Sequence, residues 1–551
     1  HRLACGARLV ALGATMSAAR IALAPTGAMG APRGMDRRGG GSAPRRASGD
    51  SSSGANAWVL GQRPSVVARP THSHRAVSPR AIAASLAPDG PDKQSDGGAG
   101  RPEVSESGSV GEVLAVFTVE LGLMAMGIVD TLMVGHVGEA ALAAASLGGI
   151  TTWLVIITTS GFVGSLDPLT SQAHGAGDAG AVATYLRHGV RAATFLSLLG
   201  GAVMQTAHPI FVALGQPAAH AAAASQYCHT EAWGILPILL FQTFRLSLAG
   251  TNKFAALVAA VTAANVVNVT LNKIFIDGVT VGSFAGLPGF QIQGYGLVGA
   301  AWSTVFSRWT LFFLILWFAA KPLAERKALQ SVKLALTVNP FSKRIREDWV
   351  GALDVLRRGA AIGAQMFVEF GAFAAMSLMA GRCGVVHAAG HAIIQCLTDV
   401  SYIIPLGVGA MGSIKVGQNV GAGKGDSART AARLAMCRGA VGVAVNAFVF
   451  LVFGDKICWW FTNEKTVHDC AVAALPVVAL YQAADGLRVV GAGCLRGVGR
   501  LGAALVSDVI GFWVLGIPIG AYLALGPPNQ GMLGLWRGFC FGMLAVMTPI
   551  V

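Results

Sequence analysis

The sequence is short of charge, and it lacks the paired cysteines that mark many small soluble or metal-binding proteins. Only 12% of its 551 residues are Asp, Glu, Lys or Arg, whereas roughly a quarter of the residues of a soluble domain are charged. Its nine cysteines are scattered without a C-x-x-C pair, which argues against a zinc site and a disulfide framework. Instead, 53% of the residues are apolar and the mean hydropathy is +0.58. Most of the chain is therefore expected to lie in lipid.

The first 88 residues have no lysine and only two acidic residues, but they contain twelve arginines. They also lack any apolar run long enough to cross a bilayer, and they are rich in Ser, Ala, Gly and Pro. This composition is typical of an organelle transit peptide and cannot bury enough surface to fold. We expect residues 1–109 to be a disordered leader and linker, with a disordered cytosolic tail or the translation of a normally untranslated sequence as the alternative. Residues 1–101 carry +9 of the net charge of +14, so the charge does not imply a nucleic-acid partner.

The leader favours a plastid (chloroplast) envelope as the membrane, with a mitochondrial membrane or the plasma membrane as alternatives. The chain begins at His1 rather than at Met, and it stops at Val551 inside an apolar run. Both ends are therefore expected to lack residues, and the C-terminal lobe described below is expected to be truncated at its end.

Apolar stretches of about 20 residues, the length that crosses a bilayer, recur from Val110 onward. Their many Gly and Ala residues suit close packing of helices in lipid. We number the twelve predicted spans 1 to 12, and they cover residues 110–134, 141–166, 189–212, 224–247, 254–276, 296–320, 353–380, 388–416, 429–453, 468–493, 501–525 and 531–551. The predicted fold class is an all-α polytopic membrane protein with twelve transmembrane helices.

The spans repeat once along the chain. Equivalent residues are 246 or 247 positions apart, as in the pairs Gln172 and Gln418, Gly175 and Gly421, Gly177 and Gly423, and Gly250 and Gly497. A shift that stays within one residue across separate segments requires matching loops as well as matching helices. The sequence therefore predicts two homologous six-helix lobes with a cavity between them. Because six is even, both lobes enter the membrane in the same direction, which gives parallel repeats.

The predicted N-terminal lobe covers 110–320 and the C-terminal lobe 353–551, with a basic inter-lobe loop at 321–352. Lysine and arginine are scarce in the links after odd-numbered spans and common in the links after even-numbered spans. Cytoplasmic links carry the excess of basic residues. Both termini and the inter-lobe loop are therefore expected on the cytosolic side, which is the stromal side in a plastid envelope.

Acidic residues inside the predicted spans carry the functional signal. An acid at the centre of a spanning helix costs roughly 2.5 to 3.5 kcal/mol, so drift alone is a poor explanation for several of them. Arg308 is the one basic residue at the centre of a predicted span, whereas Arg438 and Arg488 lie nearer span ends and are expected to snorkel. An excess of acids favours a cationic guest, protons or Na+. The deep acids are Glu120, Asp130, Glu231, Glu369, Asp399, Asp485 and Asp508.

Three of these acids lie in motifs that resemble one family, the multidrug and toxic compound extrusion (MATE) transporters. The resemblance runs from about residue 110 to the end and is closest to the bacterial NorM-type branch. The stretch from Gly127 to Gly135, with sequence GIVDTLMVG, resembles the first-helix signature. The other motifs are the paired loops at 168–178 and 416–426, the seventh-helix motif at 367–370, and the tenth-helix motifs at 481–485 and 495–499.

The resemblance implies a twelve-helix antiporter that is monomeric and uses no cofactor besides its coupling ion. It implies that Asp130 is the ion-coupling acid of the N-terminal lobe, surrounded by Asn268, Asn272 and Thr304. The two asparagines are spaced i,i+4, which places them on one helix face.

In the C-terminal lobe the resemblance implies a cation site at Glu369, Tyr481 and Asp485. Two carboxylates and a phenol oxygen are hard ligands, suited to Na+ or to a shared proton. No other metal site is expected. The family often has a proline early in spans 1 and 7, where this chain has Val116 and Ala361.

Other functions fit the same residues less well. An exporter of an organic anion such as citrate or a phenolic compound, or a flippase for a lipid-linked substrate, needs basic contacts in the cavity, and Arg308 is the one central candidate. A membrane transferase needs clustered acids or a His-Asp pair, whereas these acids are spread over separate helices. A structural or receptor-like protein leaves seven deep acids unexplained. We therefore predict an antiporter rather than an enzyme, whose lobes rock around a central cavity as it exports organic, cationic compounds in exchange for H+ or Na+.

Overall fold

The structure is a computed structural model, and all the residues that it describes belong to one compact unit. The predicted leader and most of the predicted inter-lobe loop lie outside those residues. The described residues are 110–135, 137–213, 215–281, 290–320 and 343–547.

Helices form almost all of this structure, as the apolar runs predict. The N-terminal lobe has the helices Val110–Val134, Glu139–Val163, Leu166–Gly175, Ala179–Gln205, Ala207–Ala213, Ala218–Glu231, Ile235–Gly250, Phe254–Asn272 and Gly296–Ala320. The C-terminal lobe has the helices Lys343–Arg382, Val385–Gly421, Gly425–Cys458, Lys465–Val498, Gly502–Asp508, Ile517–Leu525 and Met532–Met547. Short π-helical segments, Lys273–Asp277 and Val509–Gly516, continue two of these helices. Strands β1 (Gly278–Val281) and β2 (Phe290–Gln293) pair antiparallel between spans 5 and 6.

The helices confirm the predicted arrangement of twelve spans in two sets of six. Within the described residues, ten helices are long and apolar enough to cross a membrane. Span 3 is a bent pair, Ala179–Gln205 and Ala207–Ala213, whose two parts meet at 47°. Span 12 is the shorter apolar helix Met532–Met547. The protein is therefore a multi-pass integral membrane protein.

Span 7 begins much earlier than its predicted start at residue 353, because its helix is Lys343–Arg382. The end of the predicted basic loop is therefore helical. Asp348 on this extension is buried and lies 2.5 Å from Arg191 and 3.4 Å from Arg187 of span 3. These ion pairs stabilise a polar helical turn that hydropathy alone places outside the span.

The repeat extends to backbone geometry at the paired loops. Gly177 and Gly423 follow the ends of spans 2 and 8, and both adopt the left-handed conformation, with φ of 75° and 76°. This conformation favours glycine because it has no Cβ. The helix of span 3 then starts after Asp178, whose Oδ1 accepts a hydrogen bond from the Ala181 amide at 2.8 Å. Such an N-cap satisfies one of the free amides of the first turn.

The two lobes meet through these same ends of spans 2 and 8. Gln172 Nε2 donates to the Gly497 carbonyl oxygen at 2.8 Å, and Gln418 Nε2 donates to the Gly250 carbonyl oxygen at 2.8 Å. The two hydrogen bonds are equivalents under the repeat. Gly175 lies against the carbonyl of Gln418, so closely that a Cβ would overlap it. The contact between the lobes therefore has internal two-fold pseudosymmetry.

Further polar contacts close the interface at this end, which we call the closed end. Lys415 of span 8 lies 3.2 Å from Glu112 of span 1, and it also donates to Asn252 Oδ1 at 3.2 Å. Ser165 Oγ donates to the Val355 carbonyl oxygen at 2.9 Å. These contacts all lie toward the ends of the lobes that carry the paired loops.

Candidate functional site

Asp130 of span 1 lies inside the N-terminal lobe, where it accepts hydrogen bonds from three neutral side chains. Asn272 Nδ2 donates to its Oδ1 at 2.6 Å and Asn268 Nδ2 donates to the same oxygen at 3.0 Å. Thr304 Oγ1 donates to Oδ2 at 2.8 Å. All four residues are buried. The structure therefore brings together every residue predicted for this site.

Local helix geometry positions the three donors. Asn268 and Asn272 are one turn apart at the end of the helix of span 5, so both amides reach the same carboxylate. Thr304 lies on span 6, where Ser303 also donates to the carbonyl oxygen of Asn268 at 3.3 Å. Spans 1, 5 and 6 are thereby joined around one carboxylate.

The other deep acids of this lobe are bound to arginines. Glu231 is fully buried and accepts a hydrogen bond from Arg308, while Glu120 lies 2.5 Å from Arg245. Asp130 differs, because no Lys or Arg of the described residues lies within ion-pair distance of it. The hydrogen bonds that it accepts all come from neutral side chains.

In the C-terminal lobe the acids surround an arginine. Arg488 is fully buried, and its Nε and Nη2 donate to Asp485 Oδ1 at 2.9 and 2.7 Å. Its Nη2 also donates to Glu369 Oε1 at 3.2 Å, and its Nη1 donates to Asp508. Tyr402 Oη donates to Glu369 Oε1 at 3.3 Å. Glu369 and Asp485 are thus brought together as predicted, but a guanidinium lies between them.

One expectation for this lobe is wrong. Arg488 does not snorkel to the interface, because its helix runs to Val498, beyond the predicted end of span 10. Tyr481, the third residue expected at this site, has a buried hydroxyl without a hydrogen-bond partner among the described residues. Its ring packs instead on Trp536, with centroids 5.5 Å apart.

The residues that sequence reasoning missed here are Arg488, Tyr402 and the contribution of Asp508. The sequence did contain a signal for Arg488. Asp485 and Arg488 are spaced i,i+3 on one helix, a spacing at which opposite charges meet. Neither the hydroxyl of Tyr402 nor the carboxylate of Asp508 is linked to this pair by any sequence spacing, because they come from spans 8 and 11.

A cavity of about 450 Å³ lies between the lobes, away from the closed end. Span 1 contributes Met124 and Ile128 to its wall, and spans 7 and 8 contribute polar side chains that include Gln395 and Asp399. Asp399 is exposed there and accepts a hydrogen bond from Gln395 Nε2 at 2.8 Å. Of the deep acids named from the sequence, it is the one that lines this space.

Comparison with known proteins agrees with this architecture. A family model described as MatE matches residues 116–274 and 361–522, which is more than half of the chain. The chain belongs to the MatE family. The matched stretches fall in the two lobes, one in each.

Curated relatives of this family member include the multidrug resistance protein MdtK of Photorhabdus laumondii subsp. laumondii. It is 27% identical over 448 residues, covering 79% of this chain and 92% of the relative. MdtK of Edwardsiella ictaluri is 28% identical over 435 residues, covering 78% and 91%.

Solved structures of similar fold include the eukaryotic MATE transporter AtDTX14. It has a TM-score of 0.67 and 21% identity, covering 80% of this chain and 93% of that one. An outward-facing multidrug resistance MATE family transporter has a TM-score of 0.65 and 18% identity, covering 80% and 92%. The predicted fold, and the prediction of a transporter rather than a membrane enzyme, are confirmed.

Proposed function

We propose that this MatE family member is a secondary antiporter that exports organic, amphipathic cations in exchange for H+ or Na+. The observation that carries the proposal is the setting of Asp130, a buried carboxylate bound by Asn268, Asn272 and Thr304 without a described counter-cation. An ion can bind to and leave such a group without breaking an ion pair. A lone buried carboxylate is also costly to maintain in a membrane, which favours a functional role.

Coupling follows from the position of Asp130 between spans. A proton or Na+ on Asp130 removes the charge toward which the amides of span 5 and the hydroxyl of span 6 point. The hydrogen bonds that join span 1 to spans 5 and 6 are then weakened, and the balance between two lobe arrangements shifts. The lobes rock about their contact at the closed end, so that one ion state favours retained substrate and the other favours release.

The cavity supports a cationic and partly apolar substrate. Asp399 supplies a negative charge, and Met124 and Ile128 supply an apolar wall. Methionine adapts its shape to varied ligands, a property of promiscuous binding surfaces. The name multidrug resistance protein, carried by the MdtK relatives, agrees with a substrate range of this kind.

Export of an organic anion or a lipid-linked substrate is less well supported. No Lys or Arg is among the residues that line the cavity, and Arg308, the basic residue at the centre of a predicted span, is bound to Glu231. An anion would therefore meet a carboxylate without a compensating cation.

The proposal includes a plastid envelope as the membrane, a monomeric protein, and both termini on the stromal or cytosolic side. The arginine-rich leader supports the location, and the basic links after even-numbered spans support the orientation. Imaging of the leader fused to a fluorescent protein tests the location. Fluorescence located in the plastid supports this location, and a diffuse cytosolic signal contradicts it.

Transport by the purified full chain in proteoliposomes tests the function. A pH gradient and a Na+ gradient are imposed separately, and uptake of fluorescent cations is compared with uptake of organic anions. Asp130→Asn removes the coupling carboxylate with little change in size, and we expect it to abolish gradient-driven uptake. Asp426→Asn is the matched control, because Asp426 has an exposed side chain paired with Arg429. Unchanged uptake in a correctly inserted Asp130→Asn protein contradicts the assignment, and uptake of anions alone favours the alternative.

A further inference from the structure

We propose that Arg488 is the resident counter-cation of the C-terminal lobe, and that it excludes Na+ from the site predicted at Glu369, Tyr481 and Asp485. This inference rests on the proposed antiport and deepens it, because it leaves H+ rather than Na+ as the ion that the C-terminal lobe can bind. It starts from a disagreement between the predicted ligand set and the structure.

The guanidinium of Arg488 lies among the carboxylates of the predicted site. Arg488 donates to Asp485 at 2.7 and 2.9 Å and to Glu369 at 3.2 Å, and it also donates to Asp508. A guanidinium is always charged in proteins and carries its donors in a fixed planar fork. Arg488 therefore brings a permanent positive charge to the point where a bound Na+ would have to lie.

The carboxylate oxygens that face this point already accept hydrogen bonds. Asp485 Oδ1 accepts two N–H donors from Arg488, and Glu369 Oε1 accepts one from Arg488 and one from Tyr402. A Na+ on these two oxygens must displace the guanidinium, and a Na+ on the second oxygen of either carboxylate must lie beside a like charge in a buried site. Both arrangements are unfavourable, since like charges repel most strongly away from water.

Tyr481 is the remaining residue of the expected ligand set. The Tyr481 hydroxyl makes no hydrogen bond to Glu369 or Asp485, and its ring packs on Trp536 and Phe539. Within the part of the chain that the structure describes, no group of three or more His, Cys, Asp or Glu side chains is arranged to hold a metal ion.

The excess of carboxylates in this cluster and the small size of a proton favour binding of a proton rather than Na+. Three carboxylates face one guanidinium, so negative charge is in excess when all of them are ionised. A proton neutralises a carboxylate without any set of ligands, and the donors of Arg488 and Tyr402 can stay in place. The titratable and charged groups that meet in this cluster are Glu369, Tyr402, Asp485, Arg488 and Asp508, with Tyr481 nearby.

The first test measures Na+ binding by the purified full-length protein without relying on transport. Thermal unfolding in detergent is compared in NaCl, KCl and choline chloride at equal ionic strength. We expect no rise of Tm that is specific for NaCl. In proteoliposomes we expect cation uptake driven by a pH gradient to be unchanged when Na+ is replaced by choline. A Na+-specific rise of Tm that the Asp130→Asn variant retains overturns the inference, because the N-terminal carboxylate is then absent.

The second test removes the resident cation while keeping the net charge. The double variant Arg488→Met/Asp508→Asn loses one positive and one negative charge, and it leaves Glu369 and Asp485 free to bind an ion. We expect a Na+-specific rise of Tm in this variant. The matched control is Arg358→Met/Asp354→Asn, an exposed ion pair on span 7 at 2.8 Å, which should gain no response to Na+.

A folded double variant without a Na+ response overturns the role given to Arg488. If the double variant does not fold, the wild-type measurements still decide whether Na+ is excluded. If neither gradient drives uptake by the wild-type protein, the proposed antiport fails, whereas the Tm comparison still tests Na+ exclusion by itself.

Discussion

Ser413 Oγ donates a hydrogen bond to Asp167 Oδ2 at 2.6 Å across the contact between the two lobes, and these residues lie 246 positions apart. That separation is the repeat spacing, so each occupies in its own lobe the position that the other occupies in the second lobe. Both side chains are buried. The contact is asymmetric in chemistry, with a hydroxyl on one side and a carboxylate on the other, although the positions are equivalent.

Replacing Ser413 by Ala should destabilise the lobe contact. Asp167 would remain buried without its hydrogen-bond donor, which costs about 1–3 kcal/mol. We expect a lower Tm in detergent, measured by intrinsic fluorescence. Ser247→Ala is the control, because Ser247 is buried but donates only to Thr243 of its own helix, at 3.0 Å. Equal losses in the two variants would contradict a special role of the contact.

Replacing Thr304 by Val should impair ion coupling at Asp130. The change keeps the shape of the side chain but removes the donor to Asp130 Oδ2. We expect gradient-driven uptake to fall while the amount of inserted protein stays the same. Thr310→Val on the same helix is the comparison, since Thr310 is half-buried and donates only to the Phe306 carbonyl oxygen of its own helix. The prediction fails if both variants transport like the wild type.

Replacing Arg308 by Met should destabilise the N-terminal lobe, because Glu231 would remain buried without its partner. Removal of one member of a buried ion pair typically costs about 3–5 kcal/mol. The double variant Arg308→Met/Glu231→Gln removes both charges, and most of the lost stability should return. Thermal unfolding of the two variants measures this difference. A double variant no more stable than Arg308→Met would show that the pair is not the cause.

Substrate should protect Cys396 from thiol reagents. Cys396 is exposed and lines the cavity between the lobes, whereas Cys437 is exposed on span 9 outside this cavity. We expect a bound fluorescent cation to slow maleimide labelling of Cys396 and to leave labelling of Cys437 unchanged, as measured by peptide mass spectrometry. Slower labelling at both positions would indicate a general effect on the protein or the reagent.

The site of the N-terminal lobe could be predicted from the sequence for a physical reason. Asn268 and Asn272 share a helix face by spacing alone, and the resemblance supplied Asp130 and Thr304. The fold was equally accessible, because hydropathy and the repeat spacing both report on helices in lipid.

The C-terminal site was only partly accessible, because the position of Arg488 depended on where its helix ends. A span ending at 493 places this residue near the lipid interface. The helix ends at Val498, ten residues beyond Arg488, which is about 15 Å at the rise of an α-helix. Which carboxylates surround Arg488 is set by the packing of spans 7, 10 and 11, which no spacing within one helix encodes.

The crossed contacts at the closed end also constrain how the sequences of the two lobes can evolve. Gln172 reaches Gly497 and Gln418 reaches Gly250, so each half supplies both members of a self-complementary surface, as in a dimer of identical subunits. An ancestral six-helix chain with this surface would have met its own copy through the same residues. In the fused descendant, a larger residue at Gly175 has to be accommodated at Gln418 of the other half, rather than at its own repeat counterpart Gly421.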